Sequence, residues 1–357
     1  MLDMECLSGL FDKTISITME KLYIELTNRC NLKCAHCYND SNNGICIDLP
    51  FDIIENMLLY AKECKLTSIA LSGGEALLYP RILDVFEECK KLGLDVLLLT
   101  NGTYFDNENY LNVILKYLPD IQVSLDGPDA NSNDKIRGDG NFDHAISFIK
   151  KLKNSNYPKR ITINTVLTEY TAPHYREMLT ICHSLGIDEL TYSFLTMAGR
   201  AKSNILSITD AKLYNIVKDI NTTIKPYPEN KCQGVGVNHI CSLTSVNDSV
   251  IKLQPKVTYK GEVFPCQMQH KSEYMIGNVT THTLKDILDG KDTRRFLALM
   301  LLRKYYMKDC SACLFNTICG RGCIAKSIND YDNPFAVDGC CKFYKELMVA
   351  DIKKVTY

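Results

Sequence analysis

Between residues 22 and 194 short apolar runs alternate with longer amphipathic stretches. The runs at 22–26, 67–72, 94–100, 121–126, 161–167 and 189–194 have strand length and β-rich composition. The stretches at 51–64, 79–92, 107–118, 142–153 and 173–185 carry apolar residues at helical spacing, and Gly93 and Gly186 stand where left-handed caps would close two of them. Six strand–helix units in a row predict an α/β fold with a parallel sheet and helices outside it. Polar residues follow the strands at Thr27-Asn28, Ser72-Gly73-Gly74-Glu75, Thr100-Asn101-Gly102 and Ser124-Leu125-Asp126-Gly127. Chemistry in parallel α/β folds sits at that C-terminal strand edge, so the site is expected there.

The pattern loosens from 195 to 230, with one helical stretch at 209–220, and changes character after Cys232. Cysteines then crowd together, and helical periodicity returns only at 284–302 and in the tail from Lys342. This predicts an N-terminal extension (1–20), a first domain (21–195), a linker (196–230), a cysteine-rich domain (231–345) that relies on metal for stability, and a helical tail (346–357). The 357 residues are 46% hydrophobic, enough for one large core and a smaller module. The 41 basic and 42 acidic residues form no long run, which argues against nucleic acid or an anionic membrane as partner. Neither a signal peptide nor a spanning apolar run is visible, so the sequence reads as cytoplasmic.

Seventeen cysteines in a chain of this length, bunched at close spacings, point to metal ligation rather than disulfides. Cys30, Cys34 and Cys37 stand as Cys-x3-Cys-x2-Cys just past the first strand. Three thiolates on one loop can hold three irons of a cubane and leave the fourth open to an exchangeable ligand. Zinc is the alternative, and His36 would have to be its fourth ligand.

The triplet, with Ser72-Gly73-Gly74-Glu75 after the second strand, resembles the signature of the radical S-adenosylmethionine (SAM) superfamily. The resemblance implies a partial (βα)6 TIM-like barrel and a 4Fe-4S cluster on Cys30, Cys34 and Cys37. It further implies cleavage of S-adenosylmethionine to a 5'-deoxyadenosyl radical that abstracts hydrogen from a substrate, with reducing electrons from an external donor of flavodoxin or ferredoxin type. Gly73, Gly74 and Glu75 would meet the methionine amino group. Ser124 and Asp126 would contact the ribose, Arg137 the carboxylate and His36 the adenine, with Asn101 and Asn164 as further contacts. Ala76 departs from the proline of many relatives.

Cys310-x2-Cys313-x5-Cys319-x3-Cys323, then Cys341, preceded by Cys241 and Gly261-x4-Cys266, resembles the SPASM domain that follows the barrel in enzymes acting on peptides and proteins. The resemblance implies two auxiliary 4Fe-4S clusters. One would take Cys232, Cys241, Cys266 and Cys323, the other Cys310, Cys313, Cys319 and Cys341, with Cys340 competing for the last place. By spacing alone a pair of zinc ribbons would serve equally well. Cys6, Cys46, Cys64, Cys89 and Cys182 lie singly, and those in helical segments read as small buried hydrophobes.

The leading functional expectation is a maturase of a ribosomally made peptide, forming a thioether or carbon–carbon link. Too little chain precedes Leu22 for a leader-binding domain, so recognition would rest on the barrel, the linker or a separate leader-peptide-recognition protein. An anaerobic sulfatase-maturing type is a second reading, lowered because Gln267 stands where those relatives carry an aspartate base, and an amide is no base. A tetrapyrrole-type cofactor maturase is a third; Met197 to Arg200 occurs in several such branches without discriminating them. An iron–sulfur electron carrier or scaffold without catalysis is the non-enzymatic alternative.

Overall fold

The computed structural model describes residues 16–103, 108–203, 206–224, 250–315, 319, 321–339, 341–342 and 345. Eleven strands are defined among them. They are β1 (Ser16–Met19), β2 (Tyr23–Glu25), β3 (Ser68–Ser72), β4 (Asp95–Thr100), β5 (Asp120–Ser124), β6 (Ile161–Leu167), β7 (Glu189–Phe194), β8 (Val250–Leu253), β9 (Lys256–Val257), β10 (Glu262–Phe264) and β11 (Gly277–Asn278). Strands β2 to β7 run parallel in sequence order, as the strand–helix alternation predicts. Helices α1 (Phe51–Glu63), α2 (Ile82–Leu92), α3 (Glu108–Tyr117), α4 (Ala130–Arg137), α5 (Asn141–Asn154), α6 (Tyr175–Ser184) and α7 (Asp210–Ile224) lie between or after them.

The alternation along each strand decides what faces the helices and what faces the barrel interior. Leu22, Ile24 and Leu26 are fully buried in one apolar core with Ile54, Leu58 and Leu71. The intervening Tyr23 and Glu25 line the interior cavity. In β5, Ile121 and Val123 join the core while Gln122 and Ser124 face the cavity. The barrel interior is therefore polar, and the hydrophobic effect acts mainly at the sheet–helix layer.

Two features lie beyond the sequence pattern. Strand β9 pairs parallel to β2, with Tyr23 opposite Lys256; β10 pairs antiparallel with β9 and β11 antiparallel with β10, so the nine-stranded sheet runs β11-β10-β9-β2-β3-β4-β5-β6-β7. Strand β1 pairs in parallel with β8 in a separate two-stranded sheet. The stretch expected as one helix at 284–302 is two, α8 (Leu284–Asp289) and α9 (Lys291–Tyr306), broken at Gly290. Gly290 adopts an extended conformation with ψ of 166°, which no helix continues through. The polar helix α4 went unread because only Ile136 among its residues is a large apolar one.

Candidate radical site and thiol cavities

The chain leaves β2 through a long loop closed at its neck by Asp48. Thr27 bridges Asp48 and donates to its Oδ1 at 2.6 Å, and Arg29 places Nε and Nη2 each 2.9 Å from the Asp48 carboxylate. Asn28 stitches the loop interior, accepting from Ile47 N at 2.8 Å and donating to Ile45 O at 2.6 Å. Cys30, Cys34 and Cys37 sit on this loop and line a cavity of about 270 Å³ at the C-terminal rim of the parallel strands.

Of the residues singled out in the sequence, His36, Gly73, Gly74, Asn101, Ser124, Arg137 and Asn164 line the same cavity. Gly73 and Gly74 are required by packing: a Cβ at either would stand 2.4 Å or less from the carbonyl oxygen of Thr27 or Arg29. Their turn is bonded to the cysteine loop, Gly74 N donating to Thr27 O at 2.7 Å and Glu75 N to Arg29 O at 2.8 Å. Asn101 donates to Asn31 Oδ1 at 2.9 Å, and its amide is 3.9 Å from Cys30 Sγ. Asn164 accepts from Thr191 at 3.0 Å and from Ser193 at 2.7 Å.

Glu75 and Asp126 stand behind the wall. The Glu75 carboxylate, 1% exposed, accepts from Thr100 Oγ1 at 3.0 Å, Asn101 N at 2.8 Å and Leu77 N at 3.3 Å. Burial pushes its pKa up to about 7 against those three hydrogen bonds. Asp126, with no exposed surface, meets His36 Nε2 at 2.6 Å, Arg137 Nε at 2.7 Å and Val166 N at 2.8 Å. Burial would raise its pKa, yet the Arg137 guanidinium and the hydrogen bonds with His36 and Val166 N hold it well below the usual carboxylate range. Asp126 thereby orients two cavity residues, and Arg137 still reaches the wall.

Several site residues had no readable sequence signal. Arg200 donates from Nε to Cys34 O at 2.9 Å and from Nη1 to Asp40 Oδ1 at 2.8 Å and Ser41 O at 2.7 Å, clamping the cysteine loop. Its neighbour Gly199 lies so near that loop that a Cβ would come within 2.5 Å of the Cys37 and Tyr38 carbonyl oxygens. The only hint was the Met197–Arg200 stretch, which does not announce a partner 166 positions away. On the far side, Glu25, Tyr38, Lys256, Gln267, Met268 and His270 complete the cavity.

The thiols of the C-terminal region form two groups. Cys310, Cys313, Cys319 and Cys341 line a second cavity of about 90 Å³ together with Arg321, Asp338 and Lys345. Cys266 and Cys323 are close enough to act on each other electrostatically. Cys232, Cys241 and Cys340 lie outside the described residues, as does Cys6. Cys89 and Cys182 are buried in the helix layer as expected, Cys64 is partly exposed and Cys46 is exposed. Arg303, 1% exposed, bonds the carbonyls of Pro334 and Arg321 and carries its charge near both Cys310 and Cys323. Asp338 accepts from Cys323 N at 2.6 Å.

The donor sets fit iron–sulfur chemistry. Burial pushes the Cys30 and Cys323 thiols up to about 12 and raises Cys34, Cys266, Cys310, Cys319 and Cys341. Such thiols stay protonated unless a bound cation deprotonates them outright. Among the described residues no group of three or more His, Cys, Asp or Glu is placed to hold a single metal ion. A cubane, taking one thiolate per iron, suits thiols spread around a cavity wall.

A parallel α/β barrel with three thiols at its C-terminal rim, followed by a second thiol cavity, is an iron–sulfur enzyme architecture. The chain belongs to the radical SAM superfamily, whose family model matches residues 24–197, and it carries a SPASM domain, an iron–sulfur cluster-binding domain whose model matches 252–314. The family's cofactors are S-adenosylmethionine and iron–sulfur clusters. The antilisterial bacteriocin subtilosin biosynthesis protein AlbA of Bacillus subtilis is 24% identical over 343 residues, covering 92% of this chain and 72% of AlbA. The pre-heme d1 synthase of Dinoroseobacter shibae is also 24% identical, over 88% of this chain and 84% of that protein. Among solved structures, native anSMEcpe with bound AdoMet superposes with a TM-score of 0.73 at 19% identity, over 94% of this chain and 98% of that one. Streptococcus suis SuiB bound to precursor peptide SuiA gives 0.71 at 19%, over 95% and 79%. These two likenesses show the shared fold. No helix among the described residues is long and apolar enough to cross a membrane.

Proposed function

We propose that this chain matures a ribosomally made peptide, forming a thioether or carbon–carbon link after hydrogen abstraction from one residue. The observation that carries the reading is the cavity itself. It extends from the three cysteines past Tyr38 to a wall made by Lys256, Gln267, Met268 and His270 of the C-terminal region, leaving polar room beyond the residues assigned to the cofactor. When bound, S-adenosylmethionine and the cluster of Cys30, Cys34 and Cys37 supply a 5'-deoxyadenosyl radical. The protein's part is positional. Arg200 and Asp48 hold the cysteine loop, Gly73 and Gly74 let the glycine turn seat against it, and Asp126 sets His36 and Arg137. Arg137, Ser124, Asn101 and Asn164 are assigned to the cofactor, with Glu75 and Asp126 as positioning residues. The auxiliary clusters are assigned to Cys310, Cys313, Cys319 and Cys341, and to Cys266 and Cys323 with Cys232 and Cys241. Such clusters could take back the electron released when a substrate radical closes a new bond.

Similarity to a subtilosin biosynthesis protein and to a structure holding a precursor peptide supports a peptide substrate. An external flavodoxin- or ferredoxin-type donor, and a separate protein that recognises the leader, complete the scheme. Equal identity to a pre-heme d1 synthase favours a tetrapyrrole maturase as the second reading. The test is anaerobic turnover of the reconstituted enzyme with S-adenosylmethionine, a reductant and, as candidate substrates, any short peptides encoded in reading frames beside the gene. Formation of 5'-deoxyadenosine with loss of two hydrogens per link supports the proposal. Turnover of a tetrapyrrole but not the peptide overturns it in favour of the second reading, and no S-adenosylmethionine cleavage leaves an electron carrier or scaffold.

A further inference from the structure

Two buried charges lie where the two groups of C-terminal thiols approach one another. Arg303 on α9 is 1% exposed. Its guanidinium donates to the carbonyl of Arg321 at 2.6 Å and to that of Pro334, and it forms no ion pair with a carboxylate among the described residues. Arg321 stands between Cys319 of the outer group and Cys323 of the inner one, so the cation is pinned by a segment that serves both. On its own helix, Arg303 O accepts from Met307 N at 3.2 Å and Met307 O from Cys310 N at 3.0 Å, which leads straight to the first thiol of the outer group. Asp338, also 1% exposed, accepts from Cys323 N at 2.6 Å and lines the outer cavity with Cys310, Cys313, Cys319 and Cys341. Its carboxylate packs so closely on Gly322 that a Cβ there would come 2.4 Å from Oδ2. Burial lowers the Arg303 pKa, while the charges of Asp338, Cys323 and Cys310 act to raise it. The Asp338 charge in turn reaches Cys319, Cys323 and Cys341.

A buried guanidinium without a carboxylate beside it is strongly unfavourable unless another anion compensates it. Two backbone carbonyls offer dipoles and no countercharge. A cubane on four thiolates carries net negative charge, and that charge with its surroundings sets the reduction potential. Reduction adds one more negative charge, so a fixed cation nearby raises the potential and a fixed anion lowers it. We propose that Arg303 is a countercharge shared by the two auxiliary clusters, favouring the reduced state of each, and that Asp338 is the opposing charge that limits the effect. This rests on the cluster assignment above and deepens it. Both are positioning residues in the electrostatic sense, touching neither substrate nor S-adenosylmethionine. One cation acting on both clusters moves their potentials together, so an electron accepted by the inner cluster when a substrate bond closes is not trapped there for want of a matched neighbour.

The test is a potentiometric titration of the fully reconstituted enzyme followed by electron paramagnetic resonance. The radical cluster, recognised by its response to S-adenosylmethionine, serves as internal reference. Arg303→Met should lower the potentials of both auxiliary clusters, the reduced-to-oxidised ratio at a fixed potential falling about tenfold for each, which is about 59 mV for one electron. Asp338→Asn should shift both in the opposite sense. Its amide oxygen still accepts from Cys323 N, so this variant keeps the local shape and carries the test even where Arg303→Met does not fold. Arg303→Lys keeps the charge and should return both potentials toward wild type. A residue with a merely structural role would change the melting temperature and leave the potentials where they are. Unmoved potentials in Asp338→Asn overturn the proposal, as does a shift confined to one auxiliary cluster or shared equally by the radical cluster. Zinc in place of the auxiliary iron overturns the cluster assignment and the proposal together, whereas about twelve irons per chain with unmoved potentials overturn the proposal alone.

Discussion

The two thiol cavities differ in what surrounds the sulfur. The outer one is small, about 90 Å³, and four cysteines share its wall with Arg321, Asp338 and Lys345. The radical cavity is three times larger and has three cysteines, with serines, asparagines, two histidines and the Glu25–Lys256 pair around them. A wall with four thiols can close the coordination of a cluster, and its job is then to hold charge. A wall with three thiols and spare donors leaves a coordination place and room for reactants. The difference teaches that the catalytic site is marked less by its cysteines than by the unused polar surface beside them.

Breaking either cavity should have the largest and most divergent effects. Cys34→Ala is expected to lower iron from about twelve to about eight per chain and to abolish 5'-deoxyadenosine formation. Cys313→Ala should lower iron by a similar amount yet leave cleavage of S-adenosylmethionine without substrate intact, as iron analysis and product chromatography will tell. Zinc in place of iron at the outer cavity would remove the comparison.

Next comes the support behind the radical wall. Asp126→Ala leaves the buried Arg137 charge uncompensated, with an expected loss on the order of 3–5 kcal/mol in urea unfolding. Iron bound by the outer cavity should be unchanged in whatever protein folds.

Glu75 offers a pH handle of similar or smaller size. Its pKa is about 7 in the fold against an ordinary 4.5, so between those values the folded chain binds more protons than the unfolded one. Its contribution is therefore fully present below about pH 4.5 and is lost as pH rises through about 7, a swing on the order of 3 kcal/mol. In protein reconstituted without S-adenosylmethionine, the stability of wild type relative to Glu75→Gln should fall across that window and then level off. A flat difference would show that the three hydrogen bonds outweigh burial.

The smallest effect is the control. Arg81 pairs with Asp84 at 2.6 Å, but both side chains are about half exposed. Arg81→Ala removes that pair and the stack of the guanidinium 4.0 Å from the Phe51 ring centroid; it should lower unfolding stability by roughly 1 kcal/mol or less and leave iron content and both cavities unaltered.

Much of the barrel was legible because strands and helices there are long and periodic: β6 (Ile161–Leu167) and β7 (Glu189–Phe194) coincide with the apolar runs that announced them. The cysteine spacings were equally plain, since ligands on one loop or one short segment must lie close in sequence. Short elements were not. Strands β9 and β11 are two residues each, below any period that a sequence can display. Glu75 and Asp126 were legible as polar strand-end residues, but whether a carboxylate faces a cavity or lies behind its wall depends on neighbours from other strands.

What the amino-acid order determined by itself was local: alternating apolar periods that build a parallel sheet, glycines at a turn, and thiols at ligand spacing. Tertiary structure alone decided that Arg200 holds the Cys34 loop and that Lys256 lies beside Tyr23. Each joins segments distant along the chain. Their meeting follows from how the whole sheet buries its apolar face, and no short stretch of sequence carries that information.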